Sequence, residues 1–93
     1  MTPSQAVATN AKYFVHKQNL NIGDFEITLG MSRGYLGRVA HGEKSLSVDK
    51  CMKISELLNV PITSLLDVNV CKRIRIEELR AELQQLESEL KDV

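Results

Sequence analysis

The stretch Leu20-Asn-Ile-Gly-Asp-Phe-Glu-Ile-Thr-Leu-Gly-Met-Ser-Arg-Gly-Tyr-Leu-Gly-Arg-Val39 decides the fold. Phe25 and Leu29 sit one helical turn apart, Gly30 follows as a stop, Ser32 is a good N-cap for a new helix, and Leu36 and Val39 again share a face. Asn21 can cap the first of these helices, with Asp24 in its first turn, where a carboxylate meets the positive end of the helix dipole. The second is expected over residues 33–41, closed by Gly42 in the left-handed conformation. The pattern predicts two short helices joined by a tight turn.

On the N-terminal side, Thr2-Pro3-Ser4-Gln5 is a capping-box arrangement with Pro at the first helical position. Val7, Ala11, Phe14 and Val15 follow at helical spacing, giving a helix over residues 3–18. On the other side, residues 43–46 read as loop and Ser47 as the cap of a fourth helix. Val48, Cys51, Met52, Ile54, Ser55 and Leu58 form its wide buried stripe, and Asn59 before Pro61 marks its end. Thr63 is expected to cap a short fifth helix through Leu65 and Leu66. Five helices without a strand signal make residues 1–67 an all-α domain.

From residue 68 to 93 the pattern changes. Ile76, Leu79, Leu83, Leu86, Leu90 and Val93 recur at alternating spacings of three and four in a segment otherwise rich in Glu, Arg, Gln and Lys. That is a heptad seam with Ile76, Leu83 and Leu90 at a, and Leu79, Leu86 and Val93 at d. It is short for a free-standing coiled coil. One reading is a terminal helix packed on its own domain; the other, favoured because the seam would otherwise expose Leu after Leu, is a dimerisation helix.

A chain of 93 residues allows one small domain and an appendage, with a core that is usually marginal without oligomerisation or tight helix packing. No enzyme-sized cleft is expected. Lys plus Arg and Asp plus Glu both number 12, so any basic face must be local. Residues 2–67 hold seven basic side chains (Lys12, Lys17, Arg33, Arg38, Lys44, Lys50, Lys53) and six acidic ones (Asp24, Glu26, Glu43, Asp49, Glu56, Asp67). The resulting +1 points only weakly to nucleic acid. Cys51 and Cys71 lie in helical patterns without metal-ligand neighbours, which suits a reducing cytoplasm better than a disulfide or zinc site. His16 and His41 likewise lack ligands at the needed spacing, and Asp24 and Glu26 project in different directions, so no metal site, catalytic pair or cofactor is expected. With no signal peptide and no bilayer-length apolar run, a soluble cytoplasmic protein without membrane partners is expected.

The two helices and their turn resemble the helix-turn-helix of the lambda-repressor/Cro-like (phage-repressor) family, whose second helix enters the DNA major groove. The likeness extends to Leu57-Leu58-Asn59-Val60-Pro61-Ile62-Thr63-Ser64-Leu65-Leu66, a helix finishing in an apolar pair, a short break, and a last turn ending in two leucines. About residues 12–67 are covered. Three positions depart from the family pattern. Ile22 stands where a phosphate-contacting Gln is common. Glu26 stands where Ala usually lets the helices cross closely, so either the helices are spread or its side chain reaches out to water; it reads as a stability defect. Ala40 replaces a residue that is frequently polar.

The resemblance implies a sequence-specific transcriptional regulator, a dimeric repressor of phage or mobile-element type, bound to double-stranded DNA. Its expected DNA contacts are Ser32, Arg33, Gly34, Tyr35, Gly37, Arg38, His41, Lys44, Ser45 and Ser47. Arg33 is expected to read guanine and Arg38 to meet a phosphate, because the N-terminal part of the recognition helix reaches the groove floor. Gly34 and Gly37, each costing about 0.8 to 1 kcal/mol of helix propensity, either let the backbone approach the bases or relieve crowding. Lys44, Ser45 and Ser47 could grip the backbone, and Tyr35 either donates to a phosphate or lies on the core edge. The homodimer would form through Ile76, Leu79, Leu83, Leu86, Leu90 and Val93. A rival reading is a protein-interaction module that keeps the scaffold without binding DNA by itself; zero net charge, Ile22 and the two glycines favour it.

Overall fold

The computed structural model describes residues 1–91, and the described residues are all-α: α1 (Pro3–Lys17), α2 (Ile22–Thr28), α3 (Tyr35–Ala40), α4 (Val48–Leu58), α5 (Ile62–Leu66) and α6 (Val70–Lys91). Helix starts follow local chemistry. Thr2 and Gln5 form the reciprocal capping box of α1, the Asn21 side chain accepts from the Asp24 amide, and the Ser47 side chain accepts from the Lys50 amide. Four helices end alike, at a residue with positive φ: Asn19 (59°), Gly30 (77°), Gly42 (85°) and Asn59 (54°). In each case the next amide donates five residues back, as from Met31 to the Glu26 carbonyl (2.9 Å) and from Glu43 to the Arg38 carbonyl (2.9 Å). This satisfies carbonyls that a helix end leaves orphaned.

The core is built around α1, which packs against all the other helices. Val7, Ala8, Ala11 and Val15 of α1 meet Phe25, Leu29, Met31, Leu36, Val39, Ile54, Leu58 and Leu65. The small Ala residues let α3 lie close to α1, so the outer side of α3 is displayed from a rigid support.

Three expectations are corrected. The third helix begins at Tyr35, not at residue 33, and Ser32 does not cap it. The fifth begins at Ile62 with Pro61, not Thr63, at its N-cap. The buried stripe of α4 is narrower than the apolar pattern implies: Ile54 and Leu58 are buried and Cys51 and Ser55 half-buried, whereas Val48 is 77% and Met52 46% exposed. Val48 and Met52 lie one turn apart, rotated away from the Ile54–Leu58 stripe that faces α1.

One buried polar residue joins the domain to the last helix. Asn10, 2% exposed, donates through Nδ2 to the carbonyls of Leu65 (2.7 Å) and Asp67 (2.8 Å), and its Oδ1 accepts from Cys71 Sγ (3.1 Å). These bonds satisfy the end of α5 and tether the first turn of α6. Val70 is buried and Ile74 half-buried beside them. Farther along, Lys17 pairs with Glu78. The first part of α6 therefore packs on its own domain, as one of the two readings held. The seam does not: Ile76, Leu79, Leu83, Leu86 and Leu90 are between 45% and 75% exposed. Val93, the last seam position expected from the sequence, lies outside the described residues.

Candidate nucleic-acid interface

Between α2 and α3 the chain runs Gly30-Met31-Ser32-Arg33-Gly34, with Met31 turned into the core. The Tyr35 amide donates to the Ser32 carbonyl (3.2 Å). Gly34 has φ 87° and ψ −2°, the third-residue geometry of a type II turn, which strongly favours glycine. A Cβ on Gly34 would meet nothing within 4 Å. This glycine is therefore required by backbone conformation, not by crowding, and it lies before the helix instead of within it.

The start of α3 has no side-chain cap of its own. Its amides are satisfied from across the turn by Glu26 of α2. Oε1 accepts from the Gly34 amide (2.9 Å) and Oε2 from the Leu36 amide (2.8 Å), and Glu26 is only 2% exposed. The expectation that Glu26 spreads the helices or escapes to water is thus corrected. It replaces Ser32 as the group that holds the N-terminus of α3, and its negative charge faces the positive end of that helix. Sequence pattern missed it because the bond spans the turn. The available signal was a carboxylate on the inner face of α2 opposite a helix start.

The ten expected contact residues fall into three places. Ser32, Arg33 and Gly34 form the turn. The Arg33 stem passes over Gly23, 3.5 Å from where a Cβ would stand, and its guanidinium lies 3.7 Å from Asp24. Both partners are about three-quarters exposed, so this pair is loose. Arg33 therefore points along the start of α2 and is not the first side chain of the recognition helix.

On α3, Leu36 and Val39 are buried, Arg38 and the capping residue His41 are exposed, and Tyr35 and Gly37 are half-buried. Tyr35 Oη donates to the Ser45 carbonyl (3.0 Å), which places this residue at the edge of the fold as a brace for the following loop. At Gly37 a Cβ would meet only Lys12 Nζ, at 4.0 Å. Crowding does not explain this glycine either. Lys12 and Arg38 flank the bare patch, and Arg38 has no carboxylate within 4 Å among the described residues.

The third group lies beyond α3. Ser32, Tyr35, Ser45 and Ser47 line one open groove of about 540 Å³ together with Gly30, Met31, Leu46 and Lys50. Lys50 was not foreseen; its ammonium donates to the Leu29 carbonyl at the C-terminal end of α2, where a cation meets the negative end of the helix dipole. Ser47 Oγ is engaged as the cap of α4. The loop is pinned by the Leu46 amide donating to Ser4 Oγ (3.1 Å). Lys44 stands apart, beside Gln5 at the start of α1. No three His, Cys, Asp or Glu side chains gather at metal-binding range among the described residues. Cys51 and Cys71 are free thiols, each pushed up by burial from the ordinary thiol range.

Against known proteins, the family model described as helix-turn-helix matches residues 13–65. The match starts within α1 and ends within α5, spanning α2, the turn, α3 and α4. No curated protein and no solved structure shows significant similarity to the chain.

Proposed function

The chain belongs to the lambda-repressor/Cro-like family of helix-turn-helix DNA-binding domains, and from that premise we propose that it is a sequence-specific dimeric repressor of the phage or mobile-element type. The family is one of DNA-binding regulators, not of enzymes. The observation that carries the finer reading is the outer side of α3. Gly37 has no packing reason to lack a side chain, and Lys12 and Arg38 stand beside it. A helix bared in this way can bring its backbone against base edges or a thymine methyl while its neighbours neutralise phosphates.

Glu26 already occupies the Gly34 and Leu36 amides, and the Ser32 carbonyl occupies that of Tyr35. Side chains must therefore supply the contacts at this end. Arg33, extended along α2 near Ile22, is suited to a phosphate where the family commonly uses Gln. Arg38 and His41 are suited to the groove or its wall, and Lys44, Ser45 and the groove beside Ser32, Tyr35 and Ser47 to the flanking backbone.

Two copies joined through α6 would convert a weak second contact into an intramolecular one, and the exposed seam supports this. Binding DNA implies action in the compartment that holds it; among the described residues no helix is long and apolar enough to cross a membrane. Selection of bound sequences from a random DNA pool tests the function. An enriched half-site repeated with fixed spacing, and affinity that falls steeply with salt, are expected. A pool without enrichment, together with salt-insensitive binding, would favour a protein-interaction module instead.

A further inference from the structure

The last helix presents opposite faces to different surroundings. Val70, Cys71, Ile74 and Glu78 are buried or half-buried on the side that meets α1. At 3.6 residues per turn, the stripe of Ile76, Leu79, Leu83, Leu86 and Leu90 lies on roughly the opposite side. The domain therefore cannot cover the seam without giving up the Asn10–Cys71 and Lys17–Glu78 contacts.

The charges of α6 say what covers it. From Val70 to Arg80, Lys72, Arg73, Arg75 and Arg80 stand against Glu77 and Glu78, a formal +2; from Ala81 to Lys91, Glu82, Glu87 and Glu89 stand against Lys91, a formal −2. No acidic side chain lies in the first turn. Cations at the start and anions toward the end oppose the helix dipole, so this arrangement is unfavourable for a lone helix. It is self-complementary for two helices running in opposite directions.

The positions flanking the seam choose between orientations. Arg75, Glu82 and Glu89 are at g, and Arg73, Arg80 and Glu87 at e. In a parallel pair g faces the e residue five positions on, setting Arg75 against Arg80 and Glu82 against Glu87, both repulsive. In an antiparallel pair g faces g and e faces e. With Leu79 opposite Leu83, Arg75 meets Glu89 and Arg73 meets Glu87, each twice by symmetry, and only the central Glu82 and Arg80 self-pairs repel. Arg73 also pairs with Asp67 of its own chain, and its guanidinium has donors enough for both.

We propose that the exposed seam of α6 is covered by α6 of a second copy laid antiparallel, with Leu79 opposite Leu83. This rests on the pairing through α6 proposed above and adds its partner geometry. Leucines supply the affinity, and the exposed charges select orientation. The starts of the two α6 helices would lie about 33 Å apart, twenty-two residues at ~1.5 Å each, whereas a parallel pair would bring them to about 10 Å. The antiparallel spacing is close to one turn of DNA.

The test uses the full chain with Cys51→Ala and Cys71→Ser, adding either Arg75→Cys or Glu89→Cys, or, as a third variant, Leu90→Cys. Sedimentation should give a dimer. Oxidation of an equimolar mixture of the Arg75→Cys and Glu89→Cys chains, exchanged before oxidation, should give a crosslinked dimer that neither chain gives alone, and Leu90→Cys should not crosslink to itself. Self-crosslinking of Leu90→Cys without the mixed product would overturn the antiparallel arrangement and leave the paired reading standing. A monomer at all concentrations would overturn both, while the DNA reading of α3 would still be judged separately by sequence selection.

Discussion

Replacing Glu26 with Ala should destabilise the domain strongly, although Ala is the better helix former and the residue the family usually has at this place. The carboxylate accepts two amide hydrogen bonds, at 2.9 and 2.8 Å. Bonds to a charged group contribute about 1.5 to 3 kcal/mol each, and a buried donor left unmade costs about 1 to 3 kcal/mol. Gly34 is exposed, so its freed amide can turn to water. Leu36 is fully buried, and its amide cannot. Against this stand a few tenths of a kcal/mol of helix propensity and relief from keeping a carboxylate out of water. The net loss should be about 2 to 3 kcal/mol. For a chain of this size that lowers Tm by roughly 10 to 20 °C. Glu26→Gln, which keeps the shape and one acceptor oxygen, should fall in between. Thermal unfolding followed by circular dichroism gives the answer, and a Tm for Glu26→Ala equal to or above that of the parent chain would refute this account of how α3 is held.

The two glycines of the recognition segment should separate by sign. Gly37→Ala should raise stability by up to about 0.8 to 1 kcal/mol yet weaken DNA binding, whereas Gly34→Ala should lower stability by roughly 1 to 2 kcal/mol through its left-handed φ; paired melting and binding titrations read both. Arg38→Ala should weaken binding to all sequences alike and reduce the salt slope by about 1, so an unchanged slope would remove Arg38 from the phosphate contacts. Leu83→Asp should give a folded monomer in sedimentation, because the charge would be buried in the seam. The Lys17 ammonium holds the Glu78 carboxyl below the ordinary range, and the Asn69 amide, then Arg73, does the same for Asp67. Both stay ionised in the fold where the unfolded chain is already protonated, so their contribution is present at neutral pH and is lost as pH falls through the folded values. The start of α6 should loosen from α1 below about pH 4, measured by hydrogen exchange.

How far the fold could be read in advance depended on the range of each interaction. Thr2, Asn21, Ser47, Gly30, Gly42 and Asn59 act through backbone groups within a few residues, and their spacing alone marks where α1, α2 and α4 begin and where α2, α3 and α4 end. The start of α3 was misread for the opposite reason. Ser32 has the right chemistry for a local cap, but Glu26 supplies a charged acceptor from another helix and moves the first turn on by two residues. That shift takes Arg33 off the recognition helix and gives Gly34 a conformational duty. Lys50 and Asn10 were invisible in the same way, since their partners, the Leu29 carbonyl and the carbonyls of Leu65 and Asp67, come close only in three dimensions. The narrow face of α4 was likewise set by its neighbours: α1 and α5 cover the side of Ile54 and Leu58, so Val48 and Met52 stay outside.

Zero net charge is the property of this chain that argues most directly against a polyanion partner, and the structure removes most of its force. Of the 12 acidic residues, Glu26 is buried against amides and five belong to α6, where Glu78 pairs with Lys17 of its own chain and Glu87 and Glu89 suit pairing between helices. Asp67 is tied to Arg73 at the joint. Along the turn, α3 and the segment leading into α4 the acidic groups are Asp24, loosely paired with Arg33, Glu43 in the loop and Asp49 in the first turn of α4, while Lys12, Arg38 and Lys44 are exposed. Screening over about 8 Å at physiological salt makes the local balance count more than the sum over a molecule 54 Å long. Truncation after residue 67 would remove the joint with α1 along with the acidic half of α6, so it cannot isolate this effect. Neutralising Glu82, Glu87 and Glu89 together in the full chain can. If the acidic half of α6 lies too far from the DNA face to matter, affinity per α3 at fixed dimer concentration should stay unchanged while dimerisation changes. A uniform gain in affinity with no change in assembly would show that these charges oppose DNA directly.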